Sequence, residues 1–296
     1  MGVLHQDASS ELLRLVRWLV FGIWFLKVAT DALAPVAWLP LSIFEPAGLL
    51  ALLSVRLKAV LLMPAFLLGL KLATLGLLGW TLVKWHSVAA LLACLCLTVE
   101  MGILRGFAAH IDHKDLALLY AAYWLAVLPL ADRWAAARGE TAAKPYTLSG
   151  IPIVAILASL CVTYMMVGVF RVTHGQLDVF TSGSMPYWAI RNTFQVSQPD
   201  WGWGRYLLEQ PWLRAALNAG FPVVTLFEIL APLCLVSARF RLVFALVMVP
   251  FHLFSWIFME VFFWKSLALY VLLLPGGSLQ AIIGRTSRLF LARRFP

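Results

Sequence analysis

The chain has 296 residues, of which 62% belong to the apolar set AVILMFWYC and only 12% are charged, and its mean hydropathy is +0.88. A soluble domain carries about 45–50% apolar and about 25% charged residues, so this composition excludes an ordinary soluble protein. Lysine and arginine outnumber the acids 23 to 14, a formal charge of +9. Membrane proteins retain such an excess in cytoplasmic loops, so we predict a bilayer and no nucleic acid as partner.

Apolar runs of about 20 residues, the length needed to cross a bilayer, recur along the whole chain. They predict an all-α, polytopic transmembrane helix bundle of about eight spans that forms a single domain, residues 1–296. The spans fall at 13–33, 59–82, 87–107, 114–131, 149–170, 215–236, 240–258 and 261–280. The run 45–56 is too short to cross, and we expect it to lie at the interface or to re-enter.

The long connections and the basic residues predict the sidedness of the bundle. Residues 132–148 form a polar linker, whereas residues 171–214 are rich in glycine, proline, tryptophan and serine and predict a structured segment between spans five and six. The short basic turn 237–241 and the basic tail 277–296 indicate that both termini are cytoplasmic, because basic residues in short loops stay on that side. The segment 171–214 then lies on the outer side.

Ionisable side chains inside the apolar runs need an explanation, because each costs about 2.5–3.5 kcal/mol at mid-membrane. Lys27 and Asp31 are four residues apart, which favours an ion pair along one helix or a lysine that reaches the interface. Lys71 and Glu228 have no opposite charge within a helical turn. Glu228 must therefore find a cation on another helix or stay protonated. A functional role and a structural pairing remain equally open for both residues.

Three stretches that contain histidine are candidates for an acid–base or metal-binding site. His252 follows Pro250 inside an apolar run, where it is either a satisfied core residue or part of a site. Arg171, His174 and Asp178 have helical spacing, which suits either an acid–base site or a capped helix end. His113 belongs to a His-x-x-His pair in a loop, but no matching cluster accompanies it. We predict no metal site, and the four cysteines inside apolar runs predict no disulfide.

Four collinear segments carry a resemblance to a known family. They are LVRWLVFGIWFLKVATDAL (15–33), HKDLALLYAAYWLAVLPLADRW (113–134), YMMVGVFRVTHGQLDVFTSGSMPYWA (164–189) and PFHLFSWIFMEVFFWKSLALYVLL (250–273). In order and spacing they resemble vitamin K-dependent gamma-carboxylase and the horizontally transferred transmembrane domain that it shares with many bacterial proteins. The resemblance implies a membrane bundle over 13–276, a basic cytoplasmic tail over 277–296 and a bacterial inner membrane. We expect the carboxylase's large lumenal C-terminal region to be absent.

The resemblance also implies an activity, and the residues depart from it. The family carboxylates glutamate while it oxidises reduced vitamin K to the epoxide on the lumenal side. The family's base lysine falls on Arg171, and a guanidinium cannot be deprotonated in a protein. The family's histidine before the fourth span falls on His113, but Asp112 replaces its neighbouring asparagine. We therefore expect no gamma-carboxylation by the family mechanism.

We predict that the candidate polar residues line one cavity, which opens toward the outer leaflet. A buried carboxylate and imidazole are less costly in a shared hydrogen-bonded site than apart. We expect Arg171, His174 and Ser184 over its mouth, with Glu228 and His252 deeper. The candidate catalytic residues are Arg171, His174, His113 and His252, and the candidate ligand-binding residues are Glu228, Ser184, Tyr164 and Trp256.

Three functions fit this interpretation. The first is binding of a quinone, an isoprenoid or another lipid-like ligand, with a quinone or a reduced vitamin K-like molecule as cofactor. The second is a non-catalytic accessory or assembly subunit that works beside a membrane-protein partner. The third is a divergent quinol-dependent enzyme, in which Arg171 stabilises an oxyanion and the histidines move protons. A transporter is disfavoured because the sequence has no inverted repeat and no paired interrupted helices.

The predicted sidedness can be measured with engineered thiols. A cysteine introduced at Ser184 should react with a membrane-impermeant reagent added outside the cell, and one at Ser287 should react only after the membrane is permeabilised. The opposite labelling pattern would contradict both the sidedness and the number of spans.

Overall fold

The computed structural model describes residues 10–46, 48–107, 115–139, 151–175, 202–259 and 263–273. Every regular element within these ranges is helical, and no strand occurs in them. The α-helices are α1 (Ser10–Thr30), α2 (Val55–Leu61), α3 (Pro64–Val83), α4 (Ser87–Arg105), α5 (Leu116–Ala137), α6 (Ile151–Gly175), α7 (Gly202–Glu209), α8 (Pro211–Ile229), α9 (Ala238–Met259) and α10 (Trp264–Leu267). Short 3-10 helices occupy Ala34–Trp38, Leu41–Ile43, Gly48–Leu52, Ala231–Leu235 and Ala268–Leu273.

Five of the described helices are long and apolar enough to cross a membrane, namely α3, α4, α5, α6 and α9. They correspond to the second, third, fourth, fifth and seventh predicted spans. Helices accompany the first and sixth predicted spans as well, in the form of α1 and α8. The chain is thus a helical, multi-pass membrane protein.

Proline residues explain where the helices depart from the predicted spans. The second span was predicted at 59–82, but α2 ends at Leu61 and α3 begins at Pro64, after the extended backbone of Met63. Proline disfavours helical geometry in the residue before it and suits the first helical position. In the sixth predicted span the α-helix ends at Ile229, and a 3-10 helix containing Pro232 follows. The eighth predicted span is described only to Leu273, as α10 and a 3-10 helix.

The chain divides into two compact units, and the N-terminal unit lies within Gln6–Ile156. In it α3 packs on α4, α4 on α5, and α1 on both α3 and α5, so that four helices close a ring. The fully buried indole of Trp24 on α1 donates a hydrogen bond of 3.4 Å to the carbonyl oxygen of Leu118 on α5. An indole N–H in an apolar interior needs such an acceptor, so this contact ties the ring closed.

Residues in and next to the predicted interfacial run 45–56 pack against the C-terminal end of α4. A side chain at Gly102 would overlap Leu50, and one at Gly106 would overlap the ring of Phe44. The ring centroid of Phe44 also lies 4.9 Å from that of Phe107. The 3-10 helix Gly48–Leu52 and α2 occupy the run, which makes it a packed cap on the bundle rather than a crossing segment.

The C-terminal unit begins at Leu157 and centres on α9. This helix packs against α7, α8 and the two 3-10 helices Ala231–Leu235 and Ala268–Leu273. The part of α6 within this unit contributes side chains that meet α8, α9 and Ala268–Leu273, which positions the polar groups described next.

Candidate functional site

Helix α6 presents Tyr164 and Arg171 on one face, because seven residues make almost two helical turns. Between them Gly168 lets α6 approach α8 closely. A Cβ atom at Gly168 would lie 2.9 Å from the backbone nitrogen of Ile229 and 3.0 Å from the Cβ of Glu228. Backbone atoms cannot yield to such an overlap. Glycine is therefore required here, and it places Arg171, one turn later, beside Glu228.

The two charged side chains form an ion pair between α6 and α8. The Arg171 Nη1 donates a hydrogen bond of 2.5 Å to the Glu228 Oε2. The Glu228 side chain is only 2% exposed and that of Arg171 is 23% exposed. Glu228 therefore lies inside the helical packing, and Arg171 reaches it from the partly exposed end of the pair.

Aromatic rings surround the guanidinium group of Arg171. Its central carbon lies 5.0 Å from the ring centroid of Phe221 on α8 and 5.8 Å from that of Phe251 on α9. A cation near a ring face is attracted by the quadrupole of the ring, more strongly when water is excluded. The rings thus stabilise the guanidinium group of Arg171 without the additional buried charge that a second carboxylate would bring.

A second polar group is a chain of three hydrogen-bonded side chains. Tyr270, in the 3-10 helix Ala268–Leu273, donates its hydroxyl hydrogen to the Tyr164 hydroxyl oxygen at 2.7 Å. The Tyr164 hydroxyl lies 2.7 Å from the Nε2 of His252 on α9. All three side chains are buried. The three elements therefore meet through polar contacts inside an apolar unit.

The tautomer of His252 sets the direction of the bond between Tyr164 and His252. A tyrosine hydroxyl has one hydrogen and two lone pairs, so Tyr164 can accept from Tyr270 and still either donate to His252 or accept from it. When the imidazole carries its hydrogen on the Nδ1, the Tyr164 hydroxyl donates to the Nε2. In that tautomer the three side chains form one continuous chain of hydrogen-bond donors directed toward His252.

The same three side chains are packed among further aromatic rings. The Tyr164 ring meets Phe244 edge to face at a centroid distance of 5.5 Å. The His252 ring lies 4.7 Å from that of Phe263. Polar atoms that converge among apolar walls are typical of sites for small molecules and cofactors. Pro250 precedes His252 and removes one backbone hydrogen bond from α9 just before the site.

The other predicted site residues fall in different places. His174 is exposed at the end of α6, where its Nδ1 lies 2.9 Å from the Thr173 hydroxyl and its ring stacks on that of Phe170. Trp256, one turn after His252, is also exposed. His113 and Ser184 lie outside the described residues. The structure therefore brings together Tyr164, His252, Arg171 and Glu228, whereas His174 contacts Phe170 and Thr173 within its own turn.

Tyr270 is the site residue that sequence reasoning did not identify. It lies 18 positions after His252, and nothing in that spacing predicts contact. A weaker signal was present, because a tyrosine inside the apolar run LALYVLL has a hydroxyl that must find a partner once it is buried. That partner, Tyr164, is 106 positions away in the chain.

Comparison of the chain with protein-family models, with curated proteins and with solved structures gives no match in any of the three.

Because Arg171 and Glu228 form an ion pair, the effects of replacing each of them on the free energy of unfolding should not be additive. Arg171→Met leaves the buried carboxylate of Glu228 without its partner and should lower the free energy of unfolding by about 3–5 kcal/mol. Glu228→Leu leaves the partly exposed guanidinium of Arg171 and should cost less, because water still reaches that charge. The double variant removes both charges and should be much less destabilised than the two losses added together. Denaturant unfolding in detergent micelles measures all four states of the cycle, with Glu209→Gln, an exposed position on α7, as the control. Additive losses would show that the pair contributes no coupling.

Proposed function

We propose that this chain is a membrane protein of the gamma-carboxylase-like type, which binds a quinone, an isoprenoid or another lipid-like ligand in its C-terminal unit. The single observation that carries the proposal is the buried chain Tyr270–Tyr164–His252. A neutral imidazole and a phenol can exchange hydrogen bonds with a carbonyl or hydroxyl group on an apolar ring. The surrounding phenyl rings suit the apolar body of such a ligand.

The state of Arg171 supports a function without gamma-carboxylation. The guanidinium donates to Glu228, and a guanidinium has no acceptor lone pair with which to act as a catalytic base. Its remaining N–H groups and its partial exposure suit a role in holding negative charge. This supports a ligand-binding or accessory role over the family's reaction.

A divergent quinol-dependent enzyme is the second candidate, and the imidazole at the end of the hydrogen-bonded chain favours it. A proton released by a hydroquinone needs an acceptor within hydrogen-bond reach. The chain ends at His252, whose Nε2 accepts a proton in the tautomer that carries its hydrogen on the Nδ1. Turnover of a quinol, rather than stoichiometric retention of a quinone, would distinguish the enzyme from the binding protein.

The proposed topology is the eight-span bundle of a bacterial inner membrane, with cytoplasmic termini and a structured outer segment between the fifth and sixth spans. It rests on the five long apolar helices, on the placement of α1 and α8, and on the basic turn at 237–241.

Ligand retention tests the proposed function. Native mass spectrometry of the protein purified in a mild detergent should detect a non-covalent adduct with the mass of a quinone or an isoprenoid. Tyr164→Phe removes one hydroxyl from the site but keeps the ring, and it should reduce the retained fraction by about tenfold, the loss expected for one buried hydrogen bond of about 1.4 kcal/mol.

Tyr123→Phe is the matched control, because Tyr123 also makes hydroxyl contacts, to Thr98 at 2.7 Å and to the Cys94 carbonyl at 3.2 Å, but lies in the N-terminal unit. It should retain the adduct at the wild-type level. An adduct that is absent from the wild type, or equally abundant in all three proteins, would speak against the proposed site.

Carboxylation is tested separately. The wild-type protein should fix no carbon dioxide into a glutamate-containing peptide in the presence of reduced vitamin K. If the site has kept the shape of the family's quinone pocket, Arg171→Lys should restore detectable epoxide, because a lysine amine can lose its proton whereas a guanidinium cannot. Robust carboxylation by the wild type would overturn the interpretation of Arg171.

A further inference from the structure

The N-terminal unit contains a cluster of charged side chains that the proposed function does not use. Lys27 on α1 forms an ion pair with Asp31 one turn later, and its Nζ lies 3.8 Å from the Oδ2 of Asp115 at the start of α5. The Lys71 Nζ on α3 donates to the carbonyl oxygens of Asp31, at 2.7 Å, and of Ala29, at 3.2 Å. Lys71 thus caps the last turn of α1, where carbonyl groups lack partners within the helix.

Glu100 on α4 is the member of the cluster without an ion pair. Its side chain is 98% buried, and its Oε2 has no hydrogen-bond partner in the described part of the chain. The charges of Lys27, Asp31 and Lys71 all act on its carboxyl group. An ionised carboxylate in an apolar interior without hydrogen bonds is several kcal/mol less stable than in water. The burial of the Glu100 carboxyl group therefore requires an explanation.

Glu100 differs from the other carboxyl groups of the cluster in its contacts. Asp31 and Asp115 both contact the ammonium group of Lys27. In the described part of the chain no ion pair joins Glu100 to a cation, although Lys27 and Lys71 lie within electrostatic range of it. Glu100 is therefore the carboxyl group of the cluster whose buried Oε2 has no partner there.

We propose that Glu100 is a proton-binding site of the N-terminal unit, which takes up one proton when the ring of α1, α3, α4 and α5 closes around it. A proton needs no coordination shell and fits a carboxyl group that is already enclosed. A monovalent metal ion needs several oxygen ligands and would be repelled by the two ammonium groups. The described residues contain no group of three or more acidic, histidine or cysteine side chains that could hold a metal ion.

The groups that face Glu100 from the neighbouring elements determine how the proton is held. Lys27 and Asp31 face it from α1, and Lys71 faces it from α3. On α4 itself Cys96 lies within electrostatic range, one turn before Glu100. The fixed charges of the three named residues on α1 and α3 sum to +1 and favour ionisation, whereas desolvation opposes it.

Infrared spectroscopy tests the proposal directly, because the C=O stretch of a protonated carboxylic acid lies apart from carboxylate and amide bands. Purified full-length protein at neutral pH should show this band, and it should shift when water is exchanged for D₂O. Glu100→Gln should abolish it. Glu45→Gln changes an exposed glutamate of the same unit and should leave it intact. An identical band in the wild type and in Glu100→Gln would overturn the proposal.

Thermal unfolding at several pH values gives an independent measurement. The native state keeps a proton that the unfolded chain loses above about pH 4.3, the ordinary pKa of a glutamate, so the free energy of unfolding should fall as the pH rises from there until the native carboxyl group ionises as well. The wild type should therefore lose several degrees of Tm between about pH 5 and neutral pH, and Glu100→Gln should lose measurably less. If sodium or potassium ions raise the Tm of the wild type but not of Glu100→Gln, the site binds a metal ion and the proposal is wrong. Should Glu100→Gln not fold, Glu100→Asp keeps the carboxyl group and should move the infrared band rather than remove it.

Discussion

The ion pair between Arg171 and Glu228 is the contact on which the arrangement of the C-terminal unit depends. Each charge lies on an apolar helix where a charge alone would be costly, and neither has an opposite charge within its own turn. The pair forms only if α6 and α8 approach closely, and Gly168 permits that approach. Once α6 is held there, Tyr164 on the same face lies where His252 and Tyr270 can reach it.

The two units differ in how their buried charged side chains are paired. In the C-terminal unit one cation meets one carboxylate, and phenyl rings occupy the remaining space around the guanidinium. In the N-terminal unit the charges form a cluster in which Lys27 contacts two carboxylates and Glu100 stays apart. The first arrangement is neutral as it stands, so it suits a fixed binding group. In the second, the buried Oε2 of Glu100 has no partner in the described part of the chain, so this carboxyl group suits proton binding.

Several elements could be predicted from the sequence because their signals are local. A run of apolar residues predicts a helix wherever it is long enough, and α4, α5, α6 and α9 begin within two residues of the predicted spans. The pairing of Lys27 with Asp31 also follows from a spacing of one helical turn, and the structure confirms it. The breaks before Pro64 and at Pro232 do not follow from hydropathy, because each apolar run continues through its proline and is long enough for one uninterrupted helix.

The sequence by itself determined the class of the protein, the need of Glu228 for a distant cation and the burial of polar residues among apolar ones. It could do so because the cost of a charge in an apolar medium depends on the residue and its neighbours in the chain. Only the tertiary structure decided which partners met: Arg171 with Glu228, 57 positions apart, and Tyr164 with Tyr270, 106 positions apart. Apolar helices of similar composition can pack in many registers. The partners are selected by close approach, through a glycine such as Gly168 and a 3-10 turn such as Ala268–Leu273, and not by any pattern along one helix.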